Sequence, residues 1–245
     1  MQKVNKKNIK NTESKKILFW AIIIFLFALC IRLIYLYNTK NEIWFNNPIL
    51  DAKYYNDWAQ DIIRGDWLSE NKQELFMNPG YPYFLASVYL IFGNTVLNVV
   101  LIQIILGSLS CVLTYLITKK LFTQKIGIIS GLLLSVHVHS IIYENKLLTV
   151  SSINFLNLLL LFLIIYFIKK PFYDILIGLI LGISISLRPN IFLFLVFILF
   201  WIFIIIESNQ NKISLNICIG TLLVLILLML RNYCIFRSKY PLNPL

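Results

Sequence analysis

PGYPYFLASVYLIF, residues 79–92, is the stretch whose reading decides the fold. It is apolar, yet shorter than the roughly 20 residues a helix needs to cross a bilayer, and it opens on Pro79-Gly80-Tyr81-Pro82. If it crossed, Lys119 and Lys120 would change sides together with everything downstream. If it stays at one interface, Lys119, Lys120, Lys125, Lys169, Lys170 and Lys212 all fall on the side of the lysine-rich N-terminus, as the positive-inside rule requires. The reading is therefore an interfacial or half-inserted helix among seven spans, at about 17–37, 95–118, 124–142, 148–168, 173–187, 190–206 and 213–232.

Composition agrees. Of 245 residues, 59% are hydrophobic and 13% charged, which excludes an ordinary soluble domain and implies an all-α, polytopic transmembrane helical bundle. The formal charge of +11 could suggest nucleic acid, but lysines beside a span read as a cytoplasmic end attracted to anionic lipid, with no nucleic-acid partner. Residues 1–16 form that basic tail, and 17–245 the membrane domain. The apolar run from Ile17 to Tyr37 is broken only by Arg32, and no small-residue cleavage pattern follows, so it reads as an uncleaved signal anchor. Cys30, Cys111, Cys218 and Cys234 lack metal-type spacing and read as packing residues.

With this topology, the outer face receives the loop 38–80, the turn Tyr143-Glu144-Asn145-Lys146 and the turn Arg188-Pro189-Asn190. In the loop, Tyr54, Tyr55, Trp58 and Ile62 recur at helical spacing after Asp51, which predicts a short helix with an aromatic face suited to a membrane interface. Asp51 is open to two readings, a helix N-cap or a functional carboxylate. Glu144 is either an exposed loop acid paired with Lys146 or a functional group. Arg188 either snorkels or binds an anion such as phosphate, while Arg32 and Arg231, nearer span ends, read as snorkelling. His137 and His139, two apart on a helix, would point apart and make a poor joint metal site. No phosphate-binding glycine loop, His-Glu-x-x-His or Gly-x-Ser-x-Gly is present, so nucleotide hydrolysis, metalloproteolysis and serine-esterase chemistry lack support.

The ordered set of motifs resembles the C superfamily of membrane glycosyltransferases, in particular bacterial relatives of the dolichyl-phosphate-mannose protein mannosyltransferases and aminoarabinose transferases. The matching pieces are Asp51-x-x-Tyr54-Tyr55-x-x-Trp58-Ala59, Gly65-Asp66-Trp67, Asn78-Pro79-Gly80-Tyr81-Pro82-Tyr83-Phe84, Tyr143-Glu144-x-x-Leu147-Leu148, Leu187-Arg188-Pro189-Asn190 and Arg231-Asn232-Tyr233. The resemblance implies transfer of a sugar from a polyprenyl-phosphate carrier to an acceptor on the outer face of the inner (plasma) membrane. It also implies Asp51 as catalytic base and places Glu144 at an acidic position of the second outer loop; Arg188 is the candidate cation facing the leaving phosphate, and Tyr54, Tyr55, Glu144, Lys146 and Arg188 are the candidate substrate-binding residues. A divalent metal is compatible with such chemistry, but no ligand pattern in the sequence indicates one. Two departures stand out: Ala52 follows Asp51 where some relatives carry a second acid, and relatives continue with further spans beyond the Arg-Asn-Tyr position. The chain is thus expected to be an N-terminal part of such an enzyme. The competing readings are a non-catalytic membrane scaffold or inactive fragment, and a transporter, which would favour broken helices, paired repeats and ionisable groups at midplane.

Overall fold

The computed structural model describes residues 2–68, 77–168, 170–205 and 210–239. Lys169, the loop stretch 69–76 and the end of the chain from Tyr240 lie outside the described residues. Among the described residues every regular element is helical. Helix α1 (Gln2–Thr39) takes in both the basic segment and the first apolar run, and α2 (Ile43–Asn46) and α3 (Leu50–Ile63) lie in the first loop. Then come α4 (Gly80–Phe92), α5 (Val96–Leu121), α6 (Gln124–Ser135), α7 (Val138–Glu144), α8 (Val150–Phe167), α9 (Pro171–Leu187), α10 (Phe192–Ile205) and α11 (Gln210–Lys239).

Local chemistry sets several of these boundaries. The Thr95 hydroxyl accepts the Asn98 N–H at the start of α5, and Lys119 and Lys120 sit against the negative dipole end in its last turn. Thr123 caps α6 in the same way. Pro189 cannot continue α9; the chain turns through a short 3₁₀ segment, Pro189–Ile191, and resumes as α10.

The all-α membrane architecture is as the sequence predicts, with two refinements. Four helices are long and apolar enough to cross a bilayer (within α1, α5, α8 and α11), while α4, α9 and the 3₁₀ segment with α10 are shorter apolar helices. The expected span 124–142 is also not one rod. It breaks into α6 and α7, bent by 51°, where His137 leaves helical geometry and its ring accepts the Ser140 N–H as the cap of α7.

Helix α5 is the central post. Cys111 and Tyr115 pack with Ile24 and Ala28 of α1, Val100 and Ile104 with Leu36 and Phe45, and Val99 with the α3–α4 cluster. A second core joins α8, α9, α10 and α11 through Leu160, Ile177, Leu181, Ile202 and Ile217. Helices α9 and α11 pack backbone against backbone at Gly178 and Gly220, where a Cβ added to Gly178 would lie 3.0 Å from the Gly220 Cα. Small residues at such a crossing let backbones pack directly, which matters in lipid, where burial between helices brings little hydrophobic gain. Large apolar side chains face outward, among them Phe19, Phe197, Phe203 and Met229, as a lipid-exposed surface requires.

Candidate active site

The first-loop helix α3 holds Asp51 in its first turn. The N-cap position falls on Ile49, which makes no side-chain cap, so the N-cap reading of Asp51 is not borne out. Leu50, with φ at 52°, starts the helix one residue before the acid and displaces it from the capping position. Asp51 is exposed, and it lines a cavity of about 610 Å³ with Trp44, Phe45, Ile142, Lys146 and Leu148. Lys146 is likewise exposed, its ammonium lying 5.6 Å from the Tyr143 ring centre. Asp51 and Lys146 therefore meet at one cavity from positions far apart in the chain.

The aromatic face of α3 does not lie free at an interface. Trp58, Ala59 and Ile62 are buried against Tyr81, Leu85 and Tyr89 of α4. Tyr54 meets Trp58 edge to face at 5.8 Å, and Tyr55 meets Tyr81 at 5.1 Å. The Tyr81 hydroxyl donates to the Gln103 Oε1 at 2.8 Å, and the Gln103 amide donates in turn to the backbone carbonyls of Glu144 (2.8 Å) and Lys146 (2.9 Å). Gln103 thus ties the aromatic platform under α3 to the turn that carries Lys146. It was not legible as a site residue, although a glutamine inside an apolar span is itself a signal, since it must find partners there. Tyr55 registers the charges around it: burial pushes its phenol up, the Asp51 carboxylate adds to this, and Arg188 pulls it back down. Both Asp51 and Arg188 therefore act on the Tyr55 ring.

Glu144 is not an exposed loop acid, and its ionic partner is not Lys146. It is 3% exposed and forms a two-pronged pair with the fully buried Arg32, Nε to Oε2 at 2.6 Å and Nη2 to Oε1 at 3.1 Å. The Arg32 Nη1 also donates to the carbonyls of Ala28 and Ser135. Arg32 does not snorkel because the bend between α6 and α7 brings a carboxylate and a freed carbonyl to it inside the bundle. A Cβ on Gly107 of α5 would fall inside the Glu144 carboxyl group, so the missing side chain there makes the room for the pair.

Arg188 is exposed at the end of α9, where the Asn78 amide donates to the Leu187 carbonyl at 3.3 Å. It does not line the Asp51 cavity, and Asn190 lines a different one. Arg231 of α11 is 9% exposed and does not snorkel either. Its guanidinium lies 5.3 Å from the Trp58 ring centre and 6.0 Å from that of Tyr83, faces that hold a cation well. The rings of His137 and His139 come within 5.7 Å of each other because His137 is a cap and not a helical residue, yet no three His, Cys, Asp or Glu side chains gather as a metal site among the described residues.

A family model described as dolichyl-phosphate-mannose-protein mannosyltransferase matches residues 77–234. The chain belongs to this family. The match runs from just before α4 into α11, and so contains Gln103, Glu144, Lys146, Arg188 and Arg231 but not Asp51. No curated protein and no solved structure matches the chain. Family membership, together with the apolar helices, supports an integral membrane protein of a glycosyltransferase family, and the family implies glycosyl transfer from a lipid-linked sugar donor.

Proposed function

We propose that the protein transfers a sugar from a polyprenyl-phosphate-linked donor to an acceptor hydroxyl at the outer face of the bacterial plasma membrane, with Asp51 as general base. The observation that carries this reading is an exposed carboxylate at a cavity that also holds Lys146, on a helix whose Tyr55 feels both that carboxylate and Arg188. Asp51 takes the proton of the acceptor hydroxyl, and the oxygen attacks the anomeric carbon. The bond from that carbon to the phosphate breaks with inversion, and the electron pair leaves on the polyprenyl phosphate. Charge on the leaving phosphate grows as this happens, so a cation placed beside it lowers the barrier. Arg188 fills that role; Tyr54 and Tyr55 shape the wall between base and cation, and Lys146 steadies the bound sugar or acceptor. The Glu144 carboxylate, held by Arg32, contributes by fixing the turn that presents Lys146. The test is transfer of labelled sugar from a polyprenyl-phosphate donor by Asp51→Asn against the parent at matched protein level.

Arg188→Lys should keep the charge and lose the planar fork that grips two phosphate oxygens. It is expected to raise KM for the lipid-phosphate donor several-fold, by about 1 kcal/mol of lost charge-assisted bonding, with folding unchanged. An unaltered donor KM counts against Arg188 as the phosphate partner.

Sidedness follows from the lysines. In a background without the native cysteines, Lys53→Cys should react with a membrane-impermeant maleimide from outside intact cells, and Lys120→Cys only after permeabilisation. Both positions are exposed in the fold, so a common side for the two labels defeats the proposed orientation.

A further inference from the structure

The cavity that Asp51 lines also takes in Trp44, Asn145 and Lys146, and the fold fixes where each of them stands. Helix α2 is only four residues long, and Phe45 anchors it: this side chain is buried against Leu36, Val100 and Ile104. The Asn47 side-chain amide donates to the Ile43 carbonyl at 2.8 Å and closes the turn. Trp44, next to the anchor, is left at the cavity with 40% of its surface open. From the second outer turn come Asn145 and Lys146. Gln103 holds the backbone carbonyls of Glu144 and Lys146, and so holds Asn145 between them. Asn145 is 2% exposed, its side-chain nitrogen donates to the Ile141 carbonyl at 2.9 Å, and its Oδ1 has no donor among the described residues. A buried carbonyl left in that state costs free energy until a donor reaches it. Lys146 makes no ion pair among the described residues, and its charge offsets that of Asp51 across the cavity as a whole.

We infer that the acceptor is itself a neutral carbohydrate, a pyranose that rests one face on Trp44 and is held at its rim by Asn145 and Lys146 while one hydroxyl meets Asp51. A ligand that completes this cavity is uncharged, because the carboxylate and the ammonium already cancel. It gives donors to two acceptors, the Asp51 carboxylate and the Asn145 Oδ1, and an acceptor to the Lys146 ammonium. It also sets an apolar surface against an indole ring. A pyranose meets all of these demands in one rigid body, since each rim hydroxyl both donates and accepts and the ring faces carry C–H groups. A serine or threonine in a peptide brings a single hydroxyl, and its other donors are backbone amides spread along the chain. The inference rests on the base assignment proposed above and names the acceptor of that same site. The acceptor oxygen forms the new bond to the anomeric carbon, its proton passes to Asp51, and the electron pair of the broken bond leaves on the phosphate, so the product joins sugar to sugar.

The experiment is saturation-transfer NMR on the purified full chain in a sugar-free zwitterionic detergent. The probes are the methyl pyranosides of glucose, galactose, mannose and N-acetylglucosamine, set against an N-acetylated, amidated Ala-Ser-Ala peptide. At least one pyranoside should bind saturably and the peptide should not. Trp44→Ala should weaken that pyranoside by about tenfold or more, the usual cost of truncating an aromatic anchor, and Trp44→Phe should recover most of the loss. Saturable binding by none of the pyranosides, binding by the peptide alone, or unchanged pyranoside affinity in Trp44→Ala overturns the inference. If Trp44→Ala does not fold, the parent itself decides: a diazirine analogue of the bound pyranoside should label α2 or residues 145–148, and labelling confined to other helices overturns the site. Asp51→Asn should still hold the pyranoside, because its amide oxygen accepts a hydroxyl as the carboxylate does. If Asp51→Asn retains sugar transfer while Trp44→Ala loses the pyranoside, the base assignment falls and the carbohydrate site stands. If Asp51→Asn loses transfer while no pyranoside binds the parent, the carbohydrate site falls and the base assignment stands.

Discussion

Asp51→Asn is expected to reduce sugar transfer by roughly 10²-fold or more, the typical worth of a positioned general base, with insertion and abundance close to the parent. The structure sharpens this test. Asp51 is exposed and makes no cap on α3, so the amide replaces no hydrogen bond on which the helix depends. Asparagine keeps the size and polarity of the side chain, and α3 stays anchored through Trp58 and Ile62. What is lost is a carboxylate able to take a proton at neutral pH. Transfer is measured with a labelled polyprenyl-phosphate sugar at matched protein level; a near-normal rate would remove Asp51 as base.

The second large effect is on stability. Glu144→Ala should destabilise the fold by about 3–5 kcal/mol, because it strands the fully buried Arg32 guanidinium inside the bundle. Arg32→Met should cost a similar amount by stranding Glu144. The double variant Arg32→Met with Glu144→Met should be milder than either single change, since two apolar side chains leave no buried charge behind. Denaturation in mixed micelles reads this as a double-mutant cycle. Additive losses from the two singles are the result that would contradict a mutually dependent pair. Activity should fall with Glu144→Ala as well, because without the Arg32 pair the turn that carries Lys146 keeps only the Gln103 bonds to its backbone carbonyls.

The helices were largely legible from the chain, because lipid demands long apolar runs and leaves charged residues to mark their ends. The same rule made Pro79–Phe92 readable as something shorter than a span, and α4 is that element. Side-chain pairing was less legible. Glu144 lies two residues from Lys146, and a local pairing was the natural reading; its partner is instead 112 positions away, brought in by a bend that no proline or glycine announces. Arg32 and Arg231 sit near span ends and looked free to reach the interface. They stay inside because a carboxylate in one case and two aromatic faces in the other meet them there. Patterning along one helix shows which face is apolar, but not which distant residue completes a charge on it. Asp51 was legible as an acid at the start of a helix. Its exposure, its failure to cap and the cavity it shares with Lys146 needed the tertiary arrangement.

The room that Gly107 leaves for the Glu144 carboxyl group has a consequence for how this sequence can change over time. No larger residue can enter position 107 while Glu144 stands opposite, and Glu144 cannot be shortened first without pulling its charge away from Arg32. Positions 32, 107 and 144 are therefore locked to one another, and single substitutions at any of the three lead downhill. A lineage can leave this arrangement only by replacing the ion pair as a unit, with an apolar pair at 32 and 144 opening the way for a side chain at 107. The three positions behave as one inherited character, although they lie on three different helices.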